Sequence, residues 1–251
     1  MAVAFVRKAD SMPELKDGFG QKEMLAGTYE GGVRAYRCVL KAGCSVCPEI
    51  LRDTLQIFCL TDGIGSVTTP ERAFSVNEVS FFVPDPDSSC AIHAATDMMY
   101  TMFVVEQKPA DIERYRAFHM KLPFFRSLSQ CTEYVQDCHS ANCRSYSVIP
   151  TKRLCRVLMG VCEASAEGST EPEGCMEKGH PAVAQWNVLF GETDLLLTVD
   201  GESVSQQGGD FSYVKAGLDH SLQCMPGKTI HYIWFEHYVQ ERDYLVSYPR
   251  S

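Results

Sequence analysis

The chain has 251 residues, of which 45% are hydrophobic and 22% charged, and its formal net charge is −9. These fractions are ordinary for a globular protein and exclude wholesale disorder. The acidic balance disfavours a nucleic-acid or anionic-membrane partner, and no apolar run approaches the ~18 residues that a membrane helix needs. The N-terminus has a five-residue apolar stretch before Arg7 and Lys8, the wrong order for a secretory signal, so a cytoplasmic protein is expected.

The first part of the chain, from Val33 to Val105, is predicted to be β-rich. It contains short strand-like runs such as VRAYRCVL, TLQIFCLT and MYTMFVVE, separated by glycine, proline and aspartate clusters. Short strands with regularly spaced turn signals are typical of a β-sandwich or barrel.

A helical connector is predicted next, over residues 110–143. Between Ala110 and Cys138 the apolar residues recur at roughly helical spacing, and Leu122-Pro123 divides the stretch because proline interrupts a helix. The segment lacks the Gly/Ser composition of a mobile tether.

The remainder, residues 144–251, repeats the β-rich pattern of the first part. Gln56 opens a strand and His93 follows about 37 residues later, while Gln185 opens a strand and His220 follows about 35 residues later. Each half then ends in an aromatic strand and a glutamate, YTMFVVE and HYIWFE. The parallel order predicts an internal duplication.

The most informative stretches are EKGHPAVAQWN, which holds Gln185, and GDFSYVKAGLDH, which ends at His220. They resemble the two motifs of the cupin superfamily, small jelly-roll β-barrels with an HxH…E motif followed by PxGxxH. His180 takes the place of the second histidine, Gln185 that of the glutamate and His220 that of the last histidine. Lys178 stands where the first histidine would be.

The resemblance covers nearly the whole chain, once per half. It implies an all-β fold of two tandem cupin barrels of jelly-roll type joined by the helical connector. The expected domains are an N-terminal barrel over 1–109, the connector over 110–143 and a C-terminal barrel over 144–251.

In the C-terminal barrel, the resemblance implies a divalent metal ion, Mn, Fe, Ni or Zn, held by His180, Gln185 and His220. Lys178 cannot ligate a metal when protonated, and Gln185 offers only a neutral oxygen, so Glu177 is the candidate that restores a carboxylate. In the N-terminal barrel the equivalent positions are Glu49, Leu51 and Gln56, with only His93 retained, and a metal-free structural barrel is expected.

The predicted activity is metal-dependent isomerase, lyase or hydrolase chemistry on a small polar metabolite, such as a sugar acid, an organic acid or a ureido compound. Glu236, Lys178 and Tyr213 are the candidate acid, base or anion contacts. Ureidoglycine aminohydrolase is the nearest comparison among bicupin families, although its ligand spacing differs. The alternative is a non-catalytic bicupin that binds a sugar or organic acid without metal, and cupins often pair as homodimers.

Three points stay open in the sequence. Either Tyr232, Trp234 and Glu236 or the alternate residues of HYIWFEH line the barrel, since strand alternation alone does not choose. The twelve cysteines are expected mainly as buried small hydrophobes, as for Cys38, Cys59, Cys155 and Cys162. The Cys44-Ser-Val-Cys47 spacing also allows a thiol sensor, or a zinc site completed by Cys138, His139 and Cys143.

Overall fold

The computed structural model describes residues 3–27, 32–51, 53–118, 120–177 and 182–240, with backbone alone at 114–118 and 151–152. The described residues are almost entirely β, with one α-helix, α1 at Pro109–Phe118, and two short 3-10 turns at Ala9–Ser11 and Leu128–Gln130. No helix in these ranges has the length and hydropathy needed to span a membrane.

The strands of the first half lie on either side of short turns. They are β1 Ala4–Val6, β2 Phe19–Met24, β3 Val33–Leu40, β4 Ser45–Val46, β5 Thr54–Asp62, β6 Gly65–Thr68, β7 Ala73–Val76, β8 Ser80–Val83, β9 Ala91–Ala94, β10 Met98–Glu106 and β11 Phe124–Ser127.

The second half follows the same pattern. Its strands are β12 Thr132–Tyr134, β13 Cys143–Leu154, β14 Val157–Ser165, β15 Glu173–Glu177, β16 Val183–Leu189, β17 Asp194–Val199, β18 Glu202–Gln207, β19 Phe211–Val214, β20 His220–Cys224 and β21 Thr229–Tyr238.

Contacts divide the chain into two units. The N-terminal unit is Ala9–Cys131, and the C-terminal unit is Met1–Lys8 together with Thr132–Ser251. The first strand, β1, pairs antiparallel with β19 and so belongs to the C-terminal unit, although the sequence assigned residues 1–109 to one barrel. A strand of three residues carries too little sequence signal to reveal a partner about two hundred residues away.

The N-terminal unit contains a six-stranded sheet in the order β11-β8-β5-β10-β3-β2 and a four-stranded sheet in the order β4-β9-β6-β7. Its core contains Phe58 and Leu60 of the larger sheet and Val67 and Ile92 of the smaller one in a single apolar cluster. Burying such side chains between two sheets supplies most of the stability of a fold of this kind.

The C-terminal unit is built in the same way. A seven-stranded sheet has the order β1-β19-β16-β21-β14-β13-β12, and a four-stranded sheet has the order β15-β20-β17-β18. Alternation along β17 buries Leu195, Leu197 and Val199, which join Leu189 and Tyr232 of the larger sheet in one cluster.

The segment predicted as a helical connector over 110–143 is helical only at its start. After α1, residues Phe124–Ser127 form β11 on the edge strand β8, and Thr132–Tyr134 form β12 beside β13. Phe125 stacks on Phe74 with ring centroids 4.9 Å apart. The helical spacing of apolar residues was therefore outweighed by strand pairing and aromatic packing, which a local pattern does not contain.

Candidate functional site

A cavity of about 430 Å³ lies in the C-terminal unit. We call it the C-terminal cavity. Its wall is largely aromatic and aliphatic, with a few polar groups. The lining residues are Tyr134, Gln136, His139, Ser147, Ile149, Pro150, Leu158, Cys175, Glu177, Val183, Gln185, Leu222, Tyr232, Trp234, Glu236 and Tyr238. Its volume is in the range of small-molecule sites.

Strand alternation decides which side chains face this cavity. On β21, Tyr232, Trp234 and Glu236 line it, which settles the choice that the sequence left open. The wall is close-packed at Trp234, because a Cβ added at Gly160 on the neighbouring strand β14 would lie 2.3 Å from the indole. Glycine at this position therefore leaves room for the tryptophan.

His220 lies beside the cavity, in contact with two of the polar residues that line it. Its Nε2 lies 3.2 Å from Oε1 of Gln185 and 3.5 Å from Oε2 of Glu177. The approach of Glu177 follows from strand pairing, since Glu177 on β15 is directly opposite His220 on β20. The structure thus brings together three of the four residues predicted as metal ligands.

Both His220 and Gln185 are held by further contacts. The Nδ1 of His220 lies 3.0 Å from the carbonyl oxygen of Leu218, which favours a proton on Nδ1 and leaves Nε2 as the acceptor. The Nε2 of Gln185 donates to Asn187 Oδ1 at 2.8 Å, and Asn187 Nδ2 donates to Ser212 Oγ at 3.3 Å. This chain orients the oxygen of Gln185 towards His220.

With that tautomer, three lone pairs point towards one another: those of the His220 Nε2 nitrogen, the Gln185 amide oxygen and the Glu177 carboxylate oxygen. Such a set needs a proton or a cation among the three atoms. His220 and Gln185 are 6% and 5% exposed, so water screens this arrangement little. The donor chemistry therefore fits a divalent ion.

Of the predicted catalytic residues in the described structure, Glu236 lies at the cavity and Tyr213 does not. Glu236 lines the cavity and is paired with Gln185 across β16 and β21. Tyr213 does not reach it: Tyr213 is paired with Trp186, whose parity is opposite to that of Gln185, and their rings pack with centroids 5.1 Å apart. The prediction of Tyr213 as a catalytic contact rested on its place in the motif alone and is wrong, because strand alternation turns Tyr213 to the face opposite Gln185.

Two predicted residues, Lys178 and His180, lie outside the described residues. The metal ligand role of His180 and the catalytic role of Lys178 stay predictions.

A group of sulfur and nitrogen ligands at the cavity, which we call the thiol cluster, consists of Cys138, His139 and Cys175. The first two were zinc-ligand candidates in the sequence, but their grouping with Cys175 was not predicted. One ligand atom from each lies within 4.8 Å of the others. Cys138 Sγ and Cys175 Sγ are 3.4 Å apart, and each lies close to Glu177 Oε1, at 3.5 and 3.4 Å. The sequence signal was the Cys-x-Glu alternation on β15, with both side chains on one face.

Burial sets the protonation of this cluster. Desolvation raises the pKa of the Cys138 thiol and, more strongly, that of Cys175, and the nearby Glu177 carboxylate acts in the same direction. Desolvation also lowers the pKa of His139. Without a bound cation these thiols are therefore protonated and the imidazole is neutral at pH 7.

In the N-terminal unit the predicted residues do not converge. His93 lies on the partly exposed face of β9, between Ser45 Oγ at 2.7 Å and Thr68 Oγ1 at 2.8 Å. Gln56 instead donates to the carbonyl of Glu49 at 3.1 Å. Alternation on β9 places Ile92 in the core, so His93 has the opposite orientation to that of the buried His220.

The cysteine predictions have mixed outcomes. Burial of Cys38, Cys59, Cys155 and Cys162 is confirmed, and burial raises the pKa of the Cys38 thiol to about 12. Cys47 is exposed. Among the described residues, one ligand cluster joins Cys138 and His139 to Cys175, and another joins His139 and Cys143 to Cys162. Neither cluster includes Cys44 or Cys47.

Solved structures with a similar fold cover nearly the whole chain. One is a protein from Pseudomonas aeruginosa described as glyoxylate-induced, with a TM-score of 0.76 and 11% identity over 95% of this chain and 90% of that one. Another is oxalate decarboxylase from Bacillus subtilis, a protein with Mn(II) centres, with a TM-score of 0.66 and 15% identity over 94% and 77% of the two chains. A cupin 2 conserved barrel domain protein from Leptotrichia buccalis has a TM-score of 0.59 and 11% identity over 94% and 96%.

Neither the comparison with family models nor that with curated protein sequences finds a match. At these identities the structural similarity establishes the fold alone, and the chain has the cupin β-barrel fold.

Proposed function

We propose that the chain is a metal-dependent bicupin enzyme that acts on a small polar metabolite in its C-terminal barrel. The observation that carries the proposal is the convergence of Glu177, Gln185 and His220 at a 430 Å³ cavity of mixed aromatic and polar character. The two units with matching pairs of sheets support the tandem-barrel architecture.

Glu177, Gln185 and His220 would hold a divalent ion such as Mn, Fe, Ni or Zn, with His180 as the predicted fourth ligand. The bound ion would supply Lewis-acid activation of a substrate carbonyl or carboxylate. Hard oxygen donors with a single described imidazole favour Mn or Fe over softer ions.

The remaining chemistry is assigned to the cavity wall. Glu236 lies on the strand paired with Gln185 and is placed to accept or return a proton at its carboxylate. Tyr232 and Trp234 supply aromatic surface to the same space. Among the described lining residues the charged groups are the carboxylates of Glu177 and Glu236, so an anionic substrate depends on the charge of the ion.

Other parts of the proposal rest on the resemblance and the composition. A small-molecule substrate, a homodimer and a cytoplasmic location stay predictions, as do the absence of a nucleic-acid or membrane partner and the isomerase, lyase or hydrolase class.

Metal analysis of untagged protein tests the proposal. We expect the wild type to hold about one equivalent of a divalent transition metal that depends on His220, so that His220→Ala contains about one equivalent less than the wild type. The matched control is His231→Ala, which removes a partly buried histidine that pairs with Glu163 at 3.3 Å outside the cavity and should leave the metal content unchanged. Less than about a tenth of an equivalent in the wild type, with no gain on adding metal, would overturn the enzyme proposal.

The second candidate is a non-catalytic bicupin that binds a sugar or organic acid without metal. The aromatic wall of Tyr134, Tyr232 and Trp234 favours it, since such faces pack against sugar rings. Ligand-dependent change in Trp234 fluorescence that persists in metal-stripped protein and in His220→Ala would favour this candidate over the enzyme.

A further inference from the structure

We propose that the C-terminal unit holds a second, thiolate-rich cation site, for Zn²⁺ or an ion of similar softness, made by Cys138, His139 and Cys175 with Glu177 as the fourth ligand. This site differs from the oxygen and imidazole set at His220 in position and in chemistry. It does not depend on the proposed function.

The spacing of the ligand atoms carries the proposal. Tetrahedral zinc, with Zn–S near 2.3 Å and Zn–O near 2.0 Å, places two sulfurs about 3.8 Å apart and a sulfur and an oxygen about 3.5 Å apart. The observed separations are 3.4 Å between the sulfurs of Cys138 and Cys175, and 3.5 and 3.4 Å from these sulfurs to Glu177 Oε1. A shift of a few tenths of an ångström therefore completes the arrangement.

The imidazole completes a set of four. A ring nitrogen of His139 lies within 4.8 Å of both sulfurs, and its Nδ1 is buried without a hydrogen-bond partner among the described residues. The other nitrogen, Nε2, lies 3.3 Å from Ser145 Oγ, a contact of the kind that orients metal-binding histidines.

The backbone holds the ligands together before any ion binds. His139 and Cys175 form an isolated antiparallel β-bridge, and the N–H of Met176 donates to the carbonyl of Cys138 at 3.0 Å. Cys138 and His139 are half-buried, which gives an ion a path from solvent, whereas Cys175 is buried.

A neighbouring cluster of His139, Cys143 and Cys162 is a poorer candidate. Its sulfurs are only 3.2 Å apart, about 0.6 Å closer than two thiolates on one zinc ion, and it offers three ligands. A thiol hydrogen bond from one cysteine to the other accounts for this pair.

Glu177 connects the two regions, because its Oε2 faces His220 while its Oε1 faces the thiols. Substitution of Glu177 would therefore disturb both sites, and the test uses residues that belong to only one of them.

Cobalt is the probe, because thiolate ligation of Co²⁺ gives a charge-transfer absorption in the near ultraviolet that oxygen and imidazole ligands do not give. Reduced, metal-stripped, untagged full-length protein is titrated with Co²⁺. We expect this absorption to saturate near one equivalent, to disappear when Zn²⁺ is added, and to fall below about a tenth of the wild-type value in Cys138→Ser.

Two controls separate this site from its surroundings. His220→Ala should keep the absorption while losing the metal of the proposed function, and Cys224→Ala, which removes a buried thiol of the same unit outside the cluster, should also keep it. Because Cys138 is half-buried and Cys175 is buried, Cys138→Ser should disturb folding less than a substitution of Cys175. His139→Ala should weaken Co²⁺ binding at least tenfold.

The proposal is overturned if the wild type gives no thiolate absorption, or if Cys138→Ser retains it. It is also overturned if freshly purified protein, before reduction, lacks two reactive thiols and has a mass lower by two hydrogen atoms, with the bridge mapped to Cys138 and Cys175.

Discussion

Gln185 offers a neutral amide oxygen to the candidate metal site, where a carboxylate would offer a negative charge. Gln185→Glu replaces a neutral oxygen beside His220 with a carboxylate, so we expect Mn²⁺ to bind at least about tenfold more tightly. Without metal, the new carboxylate faces Glu236 across the paired strands and adds repulsion, so the metal-free variant should be less stable than the wild type. Calorimetric titration and thermal unfolding with and without Mn²⁺ measure both effects.

Gln56→Glu in the N-terminal unit is the matched control for this change. Gln56 is buried and takes the corresponding place in the sequence, but its amide donates to the carbonyl of Glu49, and His93 is held by Ser45 and Thr68. We expect no gain of Mn²⁺ binding there. Equal affinities of wild type and Gln185→Glu would remove Gln185 from the ligand set.

At the scale of elements, the attachment of β1 depends on one buried carboxylate. Asp210 Oδ2 accepts from Arg7 Nη1 at 2.8 Å and from the N–H of Gln207 at 3.0 Å, and Oδ1 accepts from the N–H of Lys8 at 2.9 Å. Asp210→Ala removes all three contacts of this buried carboxylate. We expect it to lower the free energy of unfolding by about 2–3 kcal/mol.

Asp194→Ala provides the comparison for Asp210→Ala. Asp194 pairs with Lys228 at 3.0 Å, but both side chains are about half exposed, at 47% and 54%. Exposed pairs contribute little, so a loss below about 1 kcal/mol is expected in denaturant unfolding. Similar losses for the two variants would show that β1 is not anchored through Asp210.

Another element-scale contact involves Glu173 at the start of β15, the strand that carries Cys175 and Glu177. Hydrogen bonds from Ser140 and then from Asn142 hold the pKa of the Glu173 carboxyl below its ordinary value of 4.5. A lowered pKa in the folded state means that stability is gained above the ordinary value and lost as pH falls through the folded-state value.

Glu173→Gln should therefore be less stable than the wild type at pH 7, by about 1–2 kcal/mol. The difference should shrink as pH falls below about 4.5, because the wild-type carboxyl then becomes neutral as well. Denaturant unfolding between pH 3 and pH 7 measures it. Glu167→Gln changes an exposed carboxylate and is the control, for which we expect no pH-dependent difference from the wild type. A stability difference for Glu173→Gln that stays constant between pH 3 and pH 7 would contradict the lowered pKa of Glu173.

An element could be predicted when its signal lies within its own residues, and could not when it depends on a strand that is distant in sequence. The strand-like runs TLQIFCLT and HYIWFEH correspond to β5 and β21, because each run is itself rich in apolar, β-branched or aromatic residues: β5 is buried over six consecutive residues, and burial alternates along much of β21. The connector was predicted wrongly after Phe118, since β11 and β12 exist only through pairing with β8 and β13. The pairing of β1 with β19 lay equally beyond a local pattern.

At the scale of the whole molecule, the two units share their sheet organisation and differ in their polar residues. In the C-terminal unit, His220 faces a glutamine and a glutamate, whereas His93 in the N-terminal unit is satisfied by two hydroxyls on a partly exposed face. The repeated spacing of Gln and His predicted the two halves, but it carried no information about which face of the strand each histidine would occupy.

The same limit applies to the site. Gln185, His220 and Glu177 could be proposed from the sequence because they fall at or beside motif positions near strand ends. The thiol cluster could not, because Cys138 and His139 reach Cys175 through a loop packed against β15 and not through a motif. Only the three-dimensional pairing of these segments brings their side chains together.

The most direct test of the central claim is the anomalous difference density of a crystal of the untagged protein grown with Mn²⁺. We predict a peak in the C-terminal cavity within coordination distance of His220 Nε2, Gln185 Oε1 and Glu177, at an occupancy that falls to background in His220→Ala crystals. A C-terminal cavity without such a peak at saturating Mn²⁺, or a peak unaffected by His220→Ala, would contradict the account.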